Sequence, residues 1–194
     1  MISTNEIELA RHCIKFAIDK GASAARLSLN KNVMDAYTIL NGELDKVSHS
    51  ADRSIYLYLF VAGRYGTFST NRLDKAELED FISKAIIMVK MLGEDEYRKL
   101  PSPERTAKDA LTGLELGLCD GEYENFTSEQ RLERAQSMSR FHSLKPAEEY
   151  TVISEECEYA ESSDDTILID SQGFEGRHRE TSFNCFTEMT IQDN

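Results

Sequence analysis

The chain has 194 residues, of which 40% are hydrophobic, with three prolines and a formal net charge of −13. That length and composition fit a globular chain of one or two domains rather than a disordered one. No apolar run reaches the roughly 18 residues of a membrane-spanning helix. The surplus of acid argues against direct binding to DNA or RNA, where Lys and Arg on phosphate supply most of the affinity.

The acid is unevenly placed, with 13 acidic and 3 basic residues over 145–194. The N-terminal stretch MISTNEIELARHC carries charge where a signal peptide needs an apolar core, so the chain reads as cytoplasmic. Cys13, Cys119, Cys157 and Cys185 are scattered without a CxxC pair and read as ordinary reduced thiols.

Ser3 and Glu6 have capping-box spacing, and Ile7, Ala10, Ile14 and Ala17 form one stripe ahead of Gly21, which predicts a first helix. Short strands are expected next. Ala25, Leu27 and Leu29 alternate with polar residues. Val33 to Leu40 runs into Asn41-Gly42, the dipeptide of a type I′ hairpin, and Glu43 to Ser50 continues beyond it. The most apolar segment, Ile55 to Val61, reads as a mid-sheet strand covered on both faces. A Gly63-Arg64-Tyr65-Gly66 turn then leads to a return arm from Gly66 to Thr70. Connections this short imply antiparallel pairing. A second helix is predicted from Asp74 to about Leu92, with Leu78, Phe81, Ile82, Ala85 and Val89 along one side.

The fold class is therefore α+β. Residues 1–93 form a two-layer helix–antiparallel sheet–helix domain and 94–126 a linker with Pro101 and Pro103. Residues 127–194 begin a second α/β domain, apparently truncated: a helix from Thr127 to about His142, then a mostly antiparallel β region. In that region Tyr150 to Tyr159, Asp165 to Asp170 and Thr181 to Ile191 read as strands. The acids from Glu155 to Asp165 lack the order of a calcium loop and read as a solvated face.

Little chemistry is visible. His12, His49, His142 and His178 form no pair at zinc-ligand spacing, and neither GxSxG nor a P-loop occurs. No catalytic, cofactor or metal residue is assigned. Tyr56, Tyr58 and Phe60 could form an aromatic sheet face, but without adjacent lysines they read as packing. Arg64, exposed at its turn, and Tyr65 beside it are the candidate contacts for a substrate or partner.

Several segments in order resemble the TldD/PmbA family, whose members are also described as modulators of DNA gyrase. They are Gly21-Ala22-Ser23, Asn41 to Val47 (NGELDKV), Val61 to Thr70 (VAGRYGTFST), Asp95 to Pro103 (DEYRKLPSP), Ser171 to Gly176 (SQGFEG) and Thr181-Ser182-Phe183. The resemblance covers the family's N-terminal and middle regions. It implies a cytoplasmic bacterial proteolytic system in which a metal-bearing subunit pairs with a metal-free one, or subunits self-associate, around a cavity that admits unfolded peptides. In metal-bearing relatives zinc is held in a C-terminal domain by a helix with HExxxH and a later cysteine. No position of this sequence matches that motif, so no zinc is expected in this chain. The implied role is that of the N-terminal portion of a peptidase subunit, shaping the cavity and subunit contacts without cutting bonds alone. The alternative is a free-standing acidic protein-interaction domain, of gyrase-modulator or nucleic-acid-mimic type.

Overall fold

A computed structural model describes residues 1–107, 109, 112–142 and 149–193. Residues 108, 110 and 111 of the expected linker, and the terminal Asn194, lie outside the described residues. Helix α1 spans Thr4–Asp19. Its Ser3 cap accepts the amide of Glu6 while the Glu6 carboxylate takes the Ser3 amide at 2.8 Å, the reciprocal box predicted from the spacing. Strands β1 (Ala24–Leu40), β2 (Glu43–Val61) and β3 (Arg64–Thr70) follow, then helix α2 (Lys75–Val89), capped by Asp74. Short 3₁₀ turns at Pro103–Arg105 and Tyr123–Asn125 precede helix α3 (Ser128–Met138) and strands β4 (Tyr150–Asp170) and β5 (Glu175–Asp193). The strands hydrogen-bond as one antiparallel five-stranded sheet in the order β3-β2-β1-β4-β5, so the architecture is α+β.

Strand lengths depart from expectation. Ala25–Leu29 and Val33–Leu40 belong to one strand, as do Glu43–Ser50 and Ile55–Val61, and Tyr150–Tyr159 and Asp165–Asp170. The polar stretches between them break the apolar pattern but not the ladder, because backbone N–H and C=O groups pair regardless of side chain. At the first hairpin Asn41 and Gly42 take φ of 51° and 86°, the left-handed pair of a type I′ turn. The second hairpin turns at Ala62-Gly63 (φ 49° and 71°), ahead of the expected Gly63–Gly66 turn. Gly66 instead lies within β3, paired with Leu59, where a Cβ would come 2.8 Å from Val89 Cγ2. Its missing side chain lets α2 pack closely.

Two compact units result. Unit 1 comprises Met1–Lys31, Asp52–Leu116 and Asp164–Arg179; unit 2 comprises Asn32–Ala51, Gly117–Ser163 and Glu180–Asn194. The long strands β1, β2, β4 and β5 each supply residues to both. In unit 1, Ala10, Ile14 and Ala17 of α1 and Leu78, Ile82 and Val89 of α2 pack with Leu27, Leu57, Leu59 and Ile167 of the sheet. In unit 2 the apolar cluster is small: Tyr37, Ile39, Ala135, Cys157 and Tyr159, with Leu132 and Met138 against it.

Alternate residues of β4 are buried from Glu155 to Ile169, and three of them are acids: Glu155, Glu161 and Asp165, none more than 1% exposed. The expected solvated face is thus half internal. Charge enters a core only when paired and hydrogen-bonded, and each of these acids is. In unit 2 Glu161 accepts from Arg131 Nε at 2.6 Å and from the Tyr159 hydroxyl at 2.7 Å. Also in unit 2, Glu155 accepts the amides of Arg140, Phe141 and His142 and the Ser139 hydroxyl, all within 3.1 Å. These bonds draw the chain out of helical geometry, which ends α3 at Met138 rather than near His142. In unit 1 Asp165 accepts from Arg177 Nε and Nη2, one on each oxygen, and from the Ile2 amide at 2.7 Å.

Candidate functional site

In unit 1 the alternation of β2 sends Ile55, Leu57, Leu59 and Val61 into the core, each at most 2% exposed. Tyr56, Tyr58 and Phe60 occupy the opposite face, where Tyr56 is 42% exposed, so β2 is covered fully on one side only. Phe60 pairs with Tyr65 of β3, their rings tilted at 47° with centroids 5.0 Å apart. Arg26 of β1 shares this face, since its neighbours Ala25 and Leu27 point into the core.

The segment after α2 folds over these aromatics. The Asp95 amide donates to the Gly63 carbonyl at 2.8 Å, and the Asp95 carboxylate accepts the amides of Tyr97 and Arg98 at 3.2 Å. That turn brings the Arg98 guanidinium 4.9 Å above the Tyr65 ring, within cation–π range. Residues 95–101 close a cleft of about 390 Å³ with Arg26, Tyr58, Phe60 and Tyr65.

The cations here are incompletely used. Arg26 reaches Asp170 at 3.3 Å, and its buried Nε–H has no acceptor among the described residues. An unpaired buried donor costs about 1–3 kcal/mol. Arg98 meets Asp95 at 3.5 Å, with Lys99 beside it on the wall. The site can hold an anion and stack an apolar group, and no arrangement in it supplies a nucleophile with its base.

Of the two residues expected to make contacts, Tyr65 lines the cleft and Arg64 does not. Arg64 begins β3, its side chain 26% exposed, and donates to the carbonyls of Leu92 and Ala62, both at 2.9 Å, and to Glu94 at 2.7 Å. It caps the chain leaving α2 instead of standing free at a tip. Sequence reasoning missed Arg26, Arg98 and Lys99. For the last two the available signal was Tyr97-Arg98-Lys99, separated from Pro101 by Leu100 alone, a basic-aromatic run followed by a rigid turn.

Three histidines elsewhere are paired with carboxylates. His12 meets Glu79 at 2.7 Å, His49 meets Asp35 at 2.8 Å and His142 meets Glu155 at 3.1 Å. Burial, then Glu79, push the Cys13 thiol up to about 12, which leaves it inert at neutral pH. The four cysteines are free, and no cluster of three or more His, Cys, Asp or Glu among the described residues is placed to hold a metal. No helix among them is long and apolar enough to cross a membrane.

Comparison with known proteins places this geometry. Residues 25–89 match the family model described as PmbA/TldA metallopeptidase domain 1. A crystal structure of a candidate modulator of DNA gyrase from Bacteroides thetaiotaomicron superposes with a TM-score of 0.89 at 27% identity, over 99% of this chain and 42% of that one. Another from Thermotoga maritima gives 0.66 at 14% identity, over 96% and 42%. TldE from Thermococcus kodakarensis gives 0.63 at 11% identity, over 96% and 43%. The last two show a shared fold alone. No curated protein matches the sequence. The chain spans about two fifths of the length of these solved structures. Over residues 25–89 the chain is thus similar to the first domain of PmbA/TldA-type proteins, and along nearly its whole length it is similar to part of a solved candidate modulator of DNA gyrase.

Proposed function

We propose that this chain serves as the N-terminal portion of a TldD/PmbA-type peptidase subunit in the cytoplasm, shaping a peptide-admitting cavity and the contacts between subunits. Bond cleavage belongs to another part of the assembly, where the zinc of metal-bearing relatives would sit. The observation that carries this reading is the first-domain match over residues 25–89 together with superposition of nearly the whole chain on a candidate modulator of DNA gyrase. A face with an aromatic-walled cleft is consistent with handling extended peptide. The acidic-interaction alternative loses part of its basis, because Glu155, Glu161, Asp165 and Asp170 are buried and paired rather than offered to a partner.

The test is to measure zinc content and hydrolysis of unfolded peptides by the chain alone. The expected result is neither stoichiometric zinc nor turnover; finding both would overturn the division of labour. Self-association or capture of a second family subunit, read by light scattering coupled to size exclusion, tests the contact role. A chain that stays monomeric alone and beside both subunit types would overturn it.

A further inference from the structure

We propose that the cleft over Tyr58, Phe60 and Tyr65 binds a carboxylate borne on an apolar or aromatic group, with the C-terminal end of a peptide as the natural source. The naming of a peptide rests on the functional reading above; the carboxylate chemistry rests on the cleft alone. Three observations converge on it. First, Arg26 lines the cleft, its bond to Asp170, at 3.3 Å, is long for a charge-assisted pair, and its Nε–H has no acceptor among the described residues. A guanidinium fork in that condition matches the two oxygens of a carboxylate. Second, Arg26, Arg98 and Lys99 face a single lining carboxylate, Asp95, so the cleft is locally cationic in a chain of net charge −13. Third, the remaining wall is aromatic and apolar, with Tyr58, Phe60 and Tyr65 beside Leu100 and Pro101, which suits a side chain next to the carboxylate and not a bare inorganic anion.

The experiment uses the whole chain and three probes followed by NMR or calorimetry: N-acetylphenylalanine, its C-terminal amide, and a tripeptide ending in phenylalanine. The acid is expected to bind, and the amide to bind roughly tenfold or more weakly, the scale of losing a hydrogen bond to a charged group. Arg26→Gln should erase that difference. Because Arg26 also meets buried Asp170, circular dichroism checks the variant's fold, and Arg98→Gln, at an exposed position, serves as the second variant with weakened acid binding. A tripeptide that binds more tightly than the single residue supports a peptide end, and equal binding supports a small aromatic acid; both support the carboxylate site. Equal affinity for acid and amide, equal competition by inorganic phosphate, or acid binding unchanged in both variants would overturn the proposal. Such a failure leaves the zinc and peptide assays untouched, so the two readings fall separately.

Discussion

Unit 1 closes its helices over a broad aliphatic cluster, whereas unit 2 gathers few apolar side chains and sets buried ions among them. Arg131 and Glu161 lie 12% and 0% exposed there, and the Arg134 guanidinium sits 3.9 Å over the Phe126 ring while reaching the Tyr159 hydroxyl at 3.0 Å. Burial, then the bond to Glu161, raise the Tyr159 hydroxyl to about 12 against the opposing pull of Arg134. The two cores fail differently. An aliphatic core loses stability in proportion to the volume removed. An ionic one does so when a single partner goes and the other is stranded.

The sharpest way to break this contrast is Glu161→Ala, which strands Arg131. The expected cost is about 3–5 kcal/mol, seen in hydrogen exchange as lost protection over α3 and the unit 2 part of β4. Equal loss in α1 and α2 would mean that the two cores are not energetically distinct. Next, Leu59→Ala, at a position with no exposure, should cost about 3 kcal/mol. Denaturant unfolding followed by exchange should report that loss first in the sheet residues under α1 and α2.

Acid gives the third test. Burial pushes Glu155 up, but the Phe141 amide, the Ser139 hydroxyl and the amides of His142 and Arg140 outweigh it and bring the carboxyl to about 2. A carboxyl depressed on folding stabilises above its unfolded value, near 4.5, and that stability is lost as pH falls from there toward 2. The loss should reach roughly 3 kcal/mol, and Glu155→Gln should be less stable at pH 7 and should lack this part of the pH dependence across that window. In unit 1, Glu6 is brought to about 2 as Lys31 and Ser3 outweigh its burial, so wild-type acid unfolding touches both units. Only the unit 2 response should flatten in the Glu155 variant. Smallest of all, Lys84→Ala removes an exposed i,i+4 pair with Asp80 on α2 and should change stability by less than about 0.5 kcal/mol.

Features encoded over a few residues were legible. The Ser3–Glu6 box, the Asn41-Gly42 turn and the apolar face of β2 all appear where local chemistry places them. What escaped was set by partners distant in sequence. Glu161 is internal because Arg131 lies 30 residues earlier, and Arg26 meets Asp170 across 144 residues. A run of acids is the same string whether water or arginine answers it. The cleft was hidden likewise: Tyr58, Tyr65 and Arg98 each look like packing or surface until the Asp95 turn folds one over the others.

The alternation of β4 bears on how the chain finds its own alignment. A strand of repeating valine and isoleucine can slide by two residues against its neighbours and still present an apolar face. Here the inward acids Glu155, Glu161 and Asp165 stand six and four residues apart, an uneven spacing that no two-residue slide reproduces. A slid strand would set Cys157 or Ile167 before donors meant for carboxylates and leave arginines without a counterion. The acids thus act as an address written along the strand: a misplaced alignment is not a near miss but an unanswered charge.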